Sequence, residues 1–368
     1  MTTTPALSGR EEVQISVETA IGGTSGTLKV VPVASGSFSA EEHFENVRDM
    51  GRRGPDVMDF RSGRGVGWSE ISWDGIVDEG NATANTVVGT LLDNLLSCGS
   101  RSSVAQIGAT AAYDHRLRLG TTKEYIRVRH RSFAQSSIDR QFIDCRVSEM
   151  SFRWNAGEGA VEYSVTLVGQ SPSAITVATV TDHSGDHFMG WQGVVALPSG
   201  AVTRLISGEF TITRAIERFY GAQNQRTYAD IYLGPIEATC AMVLDYNVVT
   251  DIEDFRAFSG TAVETAANQG EVSVQFNSGN TDGGDAEGSE DTNSRRFAIG
   301  FPNASLGDAP AVLDNSNTNV RLGLTARAMY QAATGGADGI FTSTGNAATT
   351  DLTSPIEIQF VTTFATAY

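Results

Sequence analysis

The sequence predicts a mainly β protein with two tandem domains, each a small β sandwich or barrel with one short flanking α-helix. Most segments of the 368-residue chain alternate apolar and polar residues, or are rich in β-branched and aromatic residues, as strands are. Only two segments have helical spacing. The order of strands, loops and helices in the first half recurs in the second, which indicates an internal duplication.

The strands are predicted from period-two alternation. They cover residues 29–33, 36–44, 67–77, 124–133, 142–154, 159–168, 206–216, 229–233, 236–248, 271–276, 296–301, 320–330 and 355–363. The segment Asn-Ala-Gly-Glu-Gly at 155–159 supplies glycines where a tight turn needs a positive φ. The strands on either side of this turn are therefore expected to pair as a hairpin.

The clearest helix prediction covers residues 86–97, TVVGTLLDNLLS. Its apolar residues recur at helical spacing and define one packed face; they are Val87, Val88, Leu91, Leu92, Leu95 and Leu96. A weaker helix is predicted over residues 250–258, with Asp251 near a possible N-cap.

Each of the two series contains a strand, a polar loop, a second strand, a short helix and further strands. We therefore predict a first domain at residues 1–180 and a second domain with long loops at residues 181–368. The second domain contains an acidic, Gly-rich segment at 277–294 that has no large apolar residue to bury. This segment is expected to be a solvated loop or an arm between subunits.

Charge and cysteine content restrict the possible functions. The formal net charge is -17, from 26 basic and 43 acidic residues, which argues against a protein that wraps nucleic acid by neutralising phosphates. Three widely spaced cysteines favour neither a disulfide framework nor a cysteine zinc site. The first residues have no signal-peptide pattern and no segment is apolar enough to span a membrane, so we expect a soluble protein without membrane contact.

No motif demands an enzyme, and neither a cofactor nor a metal is predicted. The acidic loop at 277–294 does not fit the ligand order of an EF-hand. His183 and His187 lie beside two aspartates and could bind a divalent cation on a helix, but the intervening Ser184 and Gly185 favour a polar connector.

Aromatic side chains leave one further alternative open. The four tryptophans, Trp68, Trp73, Trp154 and Trp191, could stack on sugars or bases. Trp68 and Trp154 lie on alternating strands, where a core or interface role is more common.

Several segments resemble the major tail tube proteins of long-tailed bacteriophages and related viruses. One is SFSAEEHFENVRDMGRRGPDVMDFRSGRGVGWSEISWDGIV at 37–77, followed by the predicted helix. The segment VSEMSFRWNAGEGAVEYSVTLVG at 147–169 is similar to the hairpin that follows the helix in that family. The segments GEFTITRAIERFY at 208–220 and VLDYNVVTDIEDFRAF at 243–258 resemble the repeat of its duplicated members.

The resemblance implies a non-enzymatic structural protein of the virion tail, made in the host cytoplasm. Copies of the chain would form stacked rings, trimeric with pseudo-sixfold symmetry, that enclose a hollow tube. Double-stranded DNA would pass through the tube without tight binding, and other tail proteins would contact its ends. The alternatives are a capsid decoration or baseplate component, or a carbohydrate-binding β sandwich.

Two groups of residues are predicted to serve this assembly. The resemblance implies a loop between the first two long strands that contacts a neighbouring subunit, in which glycines allow bending and arginines meet carboxylates. Its residues are Arg48, Arg52, Arg53, Asp56, Asp59, Arg61 and Arg64. Strand alternation suggests that another group of acids shares the lumen face; these are Glu70, Asp74, Glu237 and Asp245.

Overall fold

The architecture comes from a computed structural model. It describes residues 11–18, 20–23, 26–33, 37–49, 61–80, 86–99, 102–106, 112–132, 139–175, 187–197, 200–202, 205–222, 226–246, 269–278, 295–306, 311–313, 320–330 and 354–362. Strands dominate these residues, and all strand pairs are antiparallel. The predicted mainly β fold is therefore confirmed.

The strands and helix have the following bounds. They are β1 (Glu11–Glu18), β2 (Lys29–Val31), β3 (Ser39–Asp49), β4 (Arg61–Ile76), α1 (Val87–Leu96), β5 (Ser103–Gln106), β6 (Tyr113–Arg118), β7 (Tyr125–Ser132), β8 (Arg140–Asn155), β9 (Glu158–Gly169), β10 (Ser173–Ala174), β11 (Gly193–Leu197), β12 (Gly200–Val202), β13 (Leu205–Phe219), β14 (Asp230–Tyr246), β15 (Gln269–Ser278), β16 (Arg295–Leu306), β17 (Ala311–Leu313), β18 (Val320–Ala328) and β19 (Glu357–Thr362). A 3-10 turn covers Gly190–Gln192.

Two layers of sheet make up most of the fold. The eight-strand layer has the order β3, β4, β9, β8, β13, β14, β18 and β17. The seven-strand layer has the order β12, β11, β15, β16, β19, β6 and β5. The sheet is not closed into a barrel by the strands that the structure describes.

Aromatic side chains join the two layers. The rings of Phe152 and Phe297 lie 5.3 Å apart, and those of Phe210 and Phe301 lie 5.1 Å apart. These residues belong to one hydrophobic cluster that includes side chains from both halves of the chain. The halves 1–180 and 181–368 thus share a core, and the division of the chain into two domains at residue 180 stays a prediction.

Helix α1 matches its prediction at 86–97 within one residue at each end. Thr86 caps the helix, since its side-chain oxygen accepts a hydrogen bond from the backbone N–H of Gly89 at 2.9 Å. Ser97 has a φ of 54° and ends the helix in the left-handed conformation. The Asn94 side chain accepts a hydrogen bond from the Val147 backbone N–H, which attaches the helix to β8. The second predicted helix, at 250–258, lies outside the described residues.

Strand pairing in the first half recurs in the second. The connections β3–β4–β9–β8–β7–β1–β2 correspond to β13–β14–β18–β16–β15–β11–β12. Two β-bulges recur as well. The extra residue of β4 between Arg64 and Gly67 has a counterpart in β14 between Leu233 and Ile236. The extra residue of β8 between Phe142 and Cys145 has one in β16 between Phe301 and Ala304. We call the first strand set unit 1 and the second, which also includes β17, unit 2. Strands β16 and β17 together correspond to the long strand β8, because β16 pairs with β15 as β8 does with β7, and β17 pairs with β18 as the later part of β8 does with β9.

Asp78 is a buried acid whose ionisation should affect stability. Burial is the main cause that raises its pKa to about 7. Between about pH 4 and pH 7 the folded chain therefore holds a proton that the unfolded chain releases, so this group lowers the free energy of unfolding as pH rises.

Replacing Asp78 by Asn removes this ionisation. We expect Asp78→Asn to be more stable than the unmodified protein at about pH 8, by on the order of 3 kcal/mol. The difference should shrink as the pH falls and disappear below about pH 3, where the carboxyl is protonated in both states. Urea unfolding of both proteins across this range measures the effect, and a difference that stays constant with pH would contradict it.

Candidate assembly surfaces

One face of the eight-strand layer is polar. Residues that pair directly across antiparallel strands lie on the same face, and Ser72, Thr166, Glu149, Thr213 and Glu237 form one such row across five strands. The opposite face packs into the core. The acids predicted from alternation all lie on the polar face, which we call the acidic face; they are Glu70, Asp74, Glu237 and Asp245.

Acids outnumber arginines on the acidic face. The acids are Glu41, Glu70, Asp74, Glu149, Glu162, Glu209, Glu237 and Asp245, and the arginines are Arg153, Arg321 and Arg327. Arg153 pairs with Glu209 at 2.9 Å and Arg327 pairs with Glu237 at 3.0 Å, in both cases on largely exposed side chains. Such pairs contribute little stability, and the face keeps an excess of negative charge.

The two outer strands of this layer have open edges. Among the described strands, β3 pairs only with β4 and β17 pairs only with β18. Every strand between them has a partner on both sides. An edge strand presents backbone N–H and C=O groups to any further strand. Residues 39–42 of β3 are exposed, so this edge is accessible.

Two long hairpins extend from the same end of the layer. Strand β4 pairs with β9 only from Ser69 onward, so its earlier residues pair with β3 alone. Strand β14 likewise pairs with β18 only from Thr239 onward. Four successive antiparallel steps separate β4 from β14, so these strands run in the same direction. The two hairpin ends therefore lie at the same end of the layer.

The predicted assembly loop is partly a strand pair. Arg48 lies in β3, and Arg61 and Arg64 lie in β4, so the two strands extend into the predicted loop segment; the assembly role of these residues stays a prediction. Gly65 lies in the β4 bulge, which is opposite the segment between Phe44 and Asn46 of β3. A Cβ at this position would lie 2.8 Å from the Glu45 carbonyl oxygen, which is too close for a side chain. Glycine therefore permits close strand approach. The other predicted loop residues, Arg52, Arg53, Asp56 and Asp59, lie outside the described residues.

The hairpin β13–β14 packs against unit 1. The backbone N–H of Gly67 donates to the Arg226 carbonyl at 2.9 Å, and the Arg218 guanidinium lies 3.8 Å from the centroid of the Trp68 ring. The Tyr228 hydroxyl donates to the carbonyl of Asp144 at 2.8 Å. These contacts hold unit 2 on unit 1. Sequence patterns do not reveal them because the partners are far apart along the chain.

Exposed aromatic side chains lie at opposite ends of the eight-strand layer. Phe219 and Tyr232, on the hairpin β13–β14, are 47% and 48% exposed and contact each other edge to face. Trp191 is 66% exposed and lies near the β8–β9 turn, where Gly190 packs against the Asn155 backbone. Exposed aromatic residues are common at interfaces, so both ends are candidate contact surfaces.

The described residues offer no evident chemical centre. They contain no group of three His, Cys, Asp or Glu side chains arranged to hold a metal ion, and all three cysteines are buried and free. Trp73 and Trp154 lie in the core. His183 and residues 279–294 lie outside the described part. No described helix combines the length and apolar character needed to cross a membrane.

Comparison with family models gives a match over most of the chain. A sequence profile for the family described as "Phage tail tube protein" matches residues 10–326. The matched region includes unit 1 and nearly all of unit 2, with the hairpins and both open edges. No match was found among curated proteins.

Proposed function

Because the chain belongs to the phage tail tube protein family, we propose that three copies form a ring and that stacked rings form a hollow tube through which viral DNA passes into the host. The family is a structural one, and membership implies a component of the virion tail. The observation that carries the proposal is the eight-strand layer, which combines one acidic face with an open edge on each side.

Closure through the open edges would give a continuous barrel. Each unit contributes four strands to the layer, namely β3, β4, β9 and β8 from unit 1 and β13, β14, β18 and β17 from unit 2. Three copies would supply about 24 strands, and at a spacing of ~4.8 Å and a tilt of ~40° these close at a backbone diameter of roughly 50 Å. Such a barrel is wider than a DNA duplex.

The acidic face suits the inner wall of this barrel. Glu70, Asp74, Glu237 and Asp245 lie on it, and their carboxylates repel phosphate. A wall with excess negative charge does not hold DNA tightly. DNA would therefore move through the tube without being retained by the protein.

Neighbouring subunits and rings would meet at the ends of the layer. We assign the predicted loop residues Arg52, Arg53, Asp56 and Asp59, which follow β3 and precede β4 in the sequence, to contacts with another copy through arginine–carboxylate pairs. The exposed Phe219 and Tyr232 at the hairpin end and Trp191 at the opposite end suit head-to-tail stacking of rings. The tube ends would bind other tail proteins.

Electron microscopy of the purified protein tests the proposal. We expect hollow filaments with a regular ring repeat, and end-on views in which three copies appear as six similar units. A small closed oligomer that does not stack at high concentration would instead indicate a capsid decoration or baseplate component. A ring of six whole chains would refute the trimeric arrangement while leaving the tube in place.

A further inference from the structure

Within the eight-strand layer, the two units of one chain meet at a single strand junction. The last part of β8 pairs with β13, and Phe152 lies opposite Phe210. Both side chains are completely buried. This junction, the hairpin contacts and the shared core hold one unit on the next.

Strand register shows which residues would make the same junction at the two open edges. Phe152 pairs with Tyr163, which pairs with Gly75 of β4. In unit 2, Ala311 of β17 pairs with Leu322, which pairs with Leu244 of β14. Ala311 thus takes the place of Phe152, provided that Gly75 and Leu244 are equivalent.

The shared bulge supports this equivalence, because Gly75 lies eight residues after Gly67 in β4 and Leu244 lies eight residues after Ile236 in β14. The other side of the junction follows from it. Phe210 pairs with Cys240, and Ala40 of β3 pairs with Ile71. Ile71 and Gly75 are four residues apart in β4, and Cys240 and Leu244 are four residues apart in β14. The same register therefore makes Ala40 the counterpart of Phe210.

We propose that adjacent copies in the ring are joined by β17 of one copy pairing antiparallel with β3 of the next, in the register of β8 with β13. Ala311 of one copy then lies opposite Ala40 of the next, and Val312 lies opposite Ser39. The proposal rests on the ring assembly proposed above and specifies its contact. Each open edge is occupied by a second copy of the chain, and six junctions in the same register, three within chains and three between copies, close the ring.

The exposure of Ala40 supports the proposal that a neighbouring copy covers the β3 edge. Ala40 is on the core side of the layer, paired with Ile71, which is completely buried, yet Ala40 itself is exposed. Its counterpart Phe210 is completely buried, because β8 and the seven-strand layer cover it. A neighbouring copy placed in the same way would cover Ala40.

The two kinds of junction differ in composition. Ile212, completely buried in β13, has the exposed Glu42 as its counterpart in β3. Phe152 and Phe210 have alanines as counterparts. The junction between copies therefore buries less apolar surface than the one within the chain, and we expect rings to dissociate into folded chains before the chains unfold.

The hairpins are placed consistently with this arrangement. Hairpin β13–β14 packs on unit 1 through Arg218 and Tyr228. Among the described residues, no unit packs beside the β3 edge of its counterpart, β3–β4. In the ring, β3–β4 of one copy would pack on unit 2 of the adjacent copy.

Disulfide cross-linking of assembled protein tests the register. Two double variants place cysteines at opposed positions, Ala40→Cys with Ala311→Cys and Ser39→Cys with Val312→Cys. Successive opposed positions in an antiparallel pair alternate between hydrogen-bonded and non-hydrogen-bonded geometry. One of the two double variants therefore has the shorter Cα separation of ~4.5 Å that suits a disulfide. After oxidation with copper phenanthroline, we expect intermolecular links that reach covalent trimers and stop there.

Two controls isolate the register. Ser39→Cys with Ala311→Cys puts the cysteines one position out of register and on opposite faces, and we expect at least about tenfold less cross-linking than in the better opposed pair. Arg153→Cys with Glu209→Cys is the positive control, because Arg153 pairs with Glu209 in the β8–β13 junction as Val312 pairs with Ser39 in the proposed one. This pair should form an intramolecular disulfide. The unmodified protein, with buried cysteines, gives the background.

The outcomes separate the junction from the proposed function. One outcome would overturn the junction and leave the tube intact. In it, hollow tubes form and the Arg153→Cys/Glu209→Cys pair oxidises, but neither opposed cysteine pair links copies more than the off-register control does. Links that continue beyond three chains would overturn closure by three copies. An unmodified protein that remains monomeric at high concentration would refute both the tube and the junction.

Discussion

An Ala40→Asp variant is expected to remain a folded monomer and to lose tube formation. Ala40 is exposed in the single chain, so an added carboxylate there stays in water and has little effect on folding. In the assembled ring the same carboxylate would be buried between β3 of one copy and β17 of the next, with no positive charge introduced to compensate it. Breaking charge compensation in a buried site costs about 3–5 kcal/mol.

A cost of this size changes assembly strongly. Since each ~1.4 kcal/mol is a factor of ten in an equilibrium constant, the critical concentration for assembly should rise at least about 100-fold. Sedimentation of tubes over a range of protein concentrations measures this shift, and circular dichroism with thermal unfolding checks the monomer.

Ala241→Asp is the matched control for Ala40→Asp. Ala241 is also an exposed alanine in a strand, but β14 already has a partner strand on both sides. The added charge would lie on the acidic face and away from the open edges, and assembly should continue with little change. Normal tube yield from Ala40→Asp would show that the β3 edge is not an interface.

Replacing Phe210 by Ala is expected to lower the free energy of unfolding by about 3–5 kcal/mol. Phe210 is completely buried, its ring contacts Phe301 at 5.1 Å between centroids, and Trp154 lies at 5.9 Å. The substitution leaves a cavity where β8, β13 and the seven-strand layer meet. It should therefore loosen the attachment of unit 2 to unit 1 as well as the core.

Urea unfolding in an Ala40→Asp background measures the Phe210 effect on a non-assembling chain, because assembly would otherwise add to apparent stability. Phe219→Ala is the control, since Phe219 lies in the same strand but is 47% exposed. We expect this change to cost less than about 1 kcal/mol. Equal losses from the two substitutions would contradict the assigned core position of Phe210.

Local patterns in the sequence predicted most of the elements. The leucine spacing and Thr86 predicted α1, and the glycine-containing turn at 155–159 predicted the β8–β9 hairpin, because both depend on residues a few positions apart. Alternation placed Glu70 and Glu237 on the face opposite to the core side chains of their strands. The order of elements also predicted a repeat, and the strand pairings follow the same order in both halves.

Contacts between distant residues were beyond these patterns. Arg61 and Arg64 were assigned to a loop because glycine is common nearby, yet cross-strand pairing extends β4 through them. Nor does alternation identify β13 as the partner of β8, since many strands have compatible patterns. Chain composition and local spacing thus established the strands, the helix and the acidic character. Register, the shared core and the positions of the open edges follow from long-range pairing, which depends on all strands together.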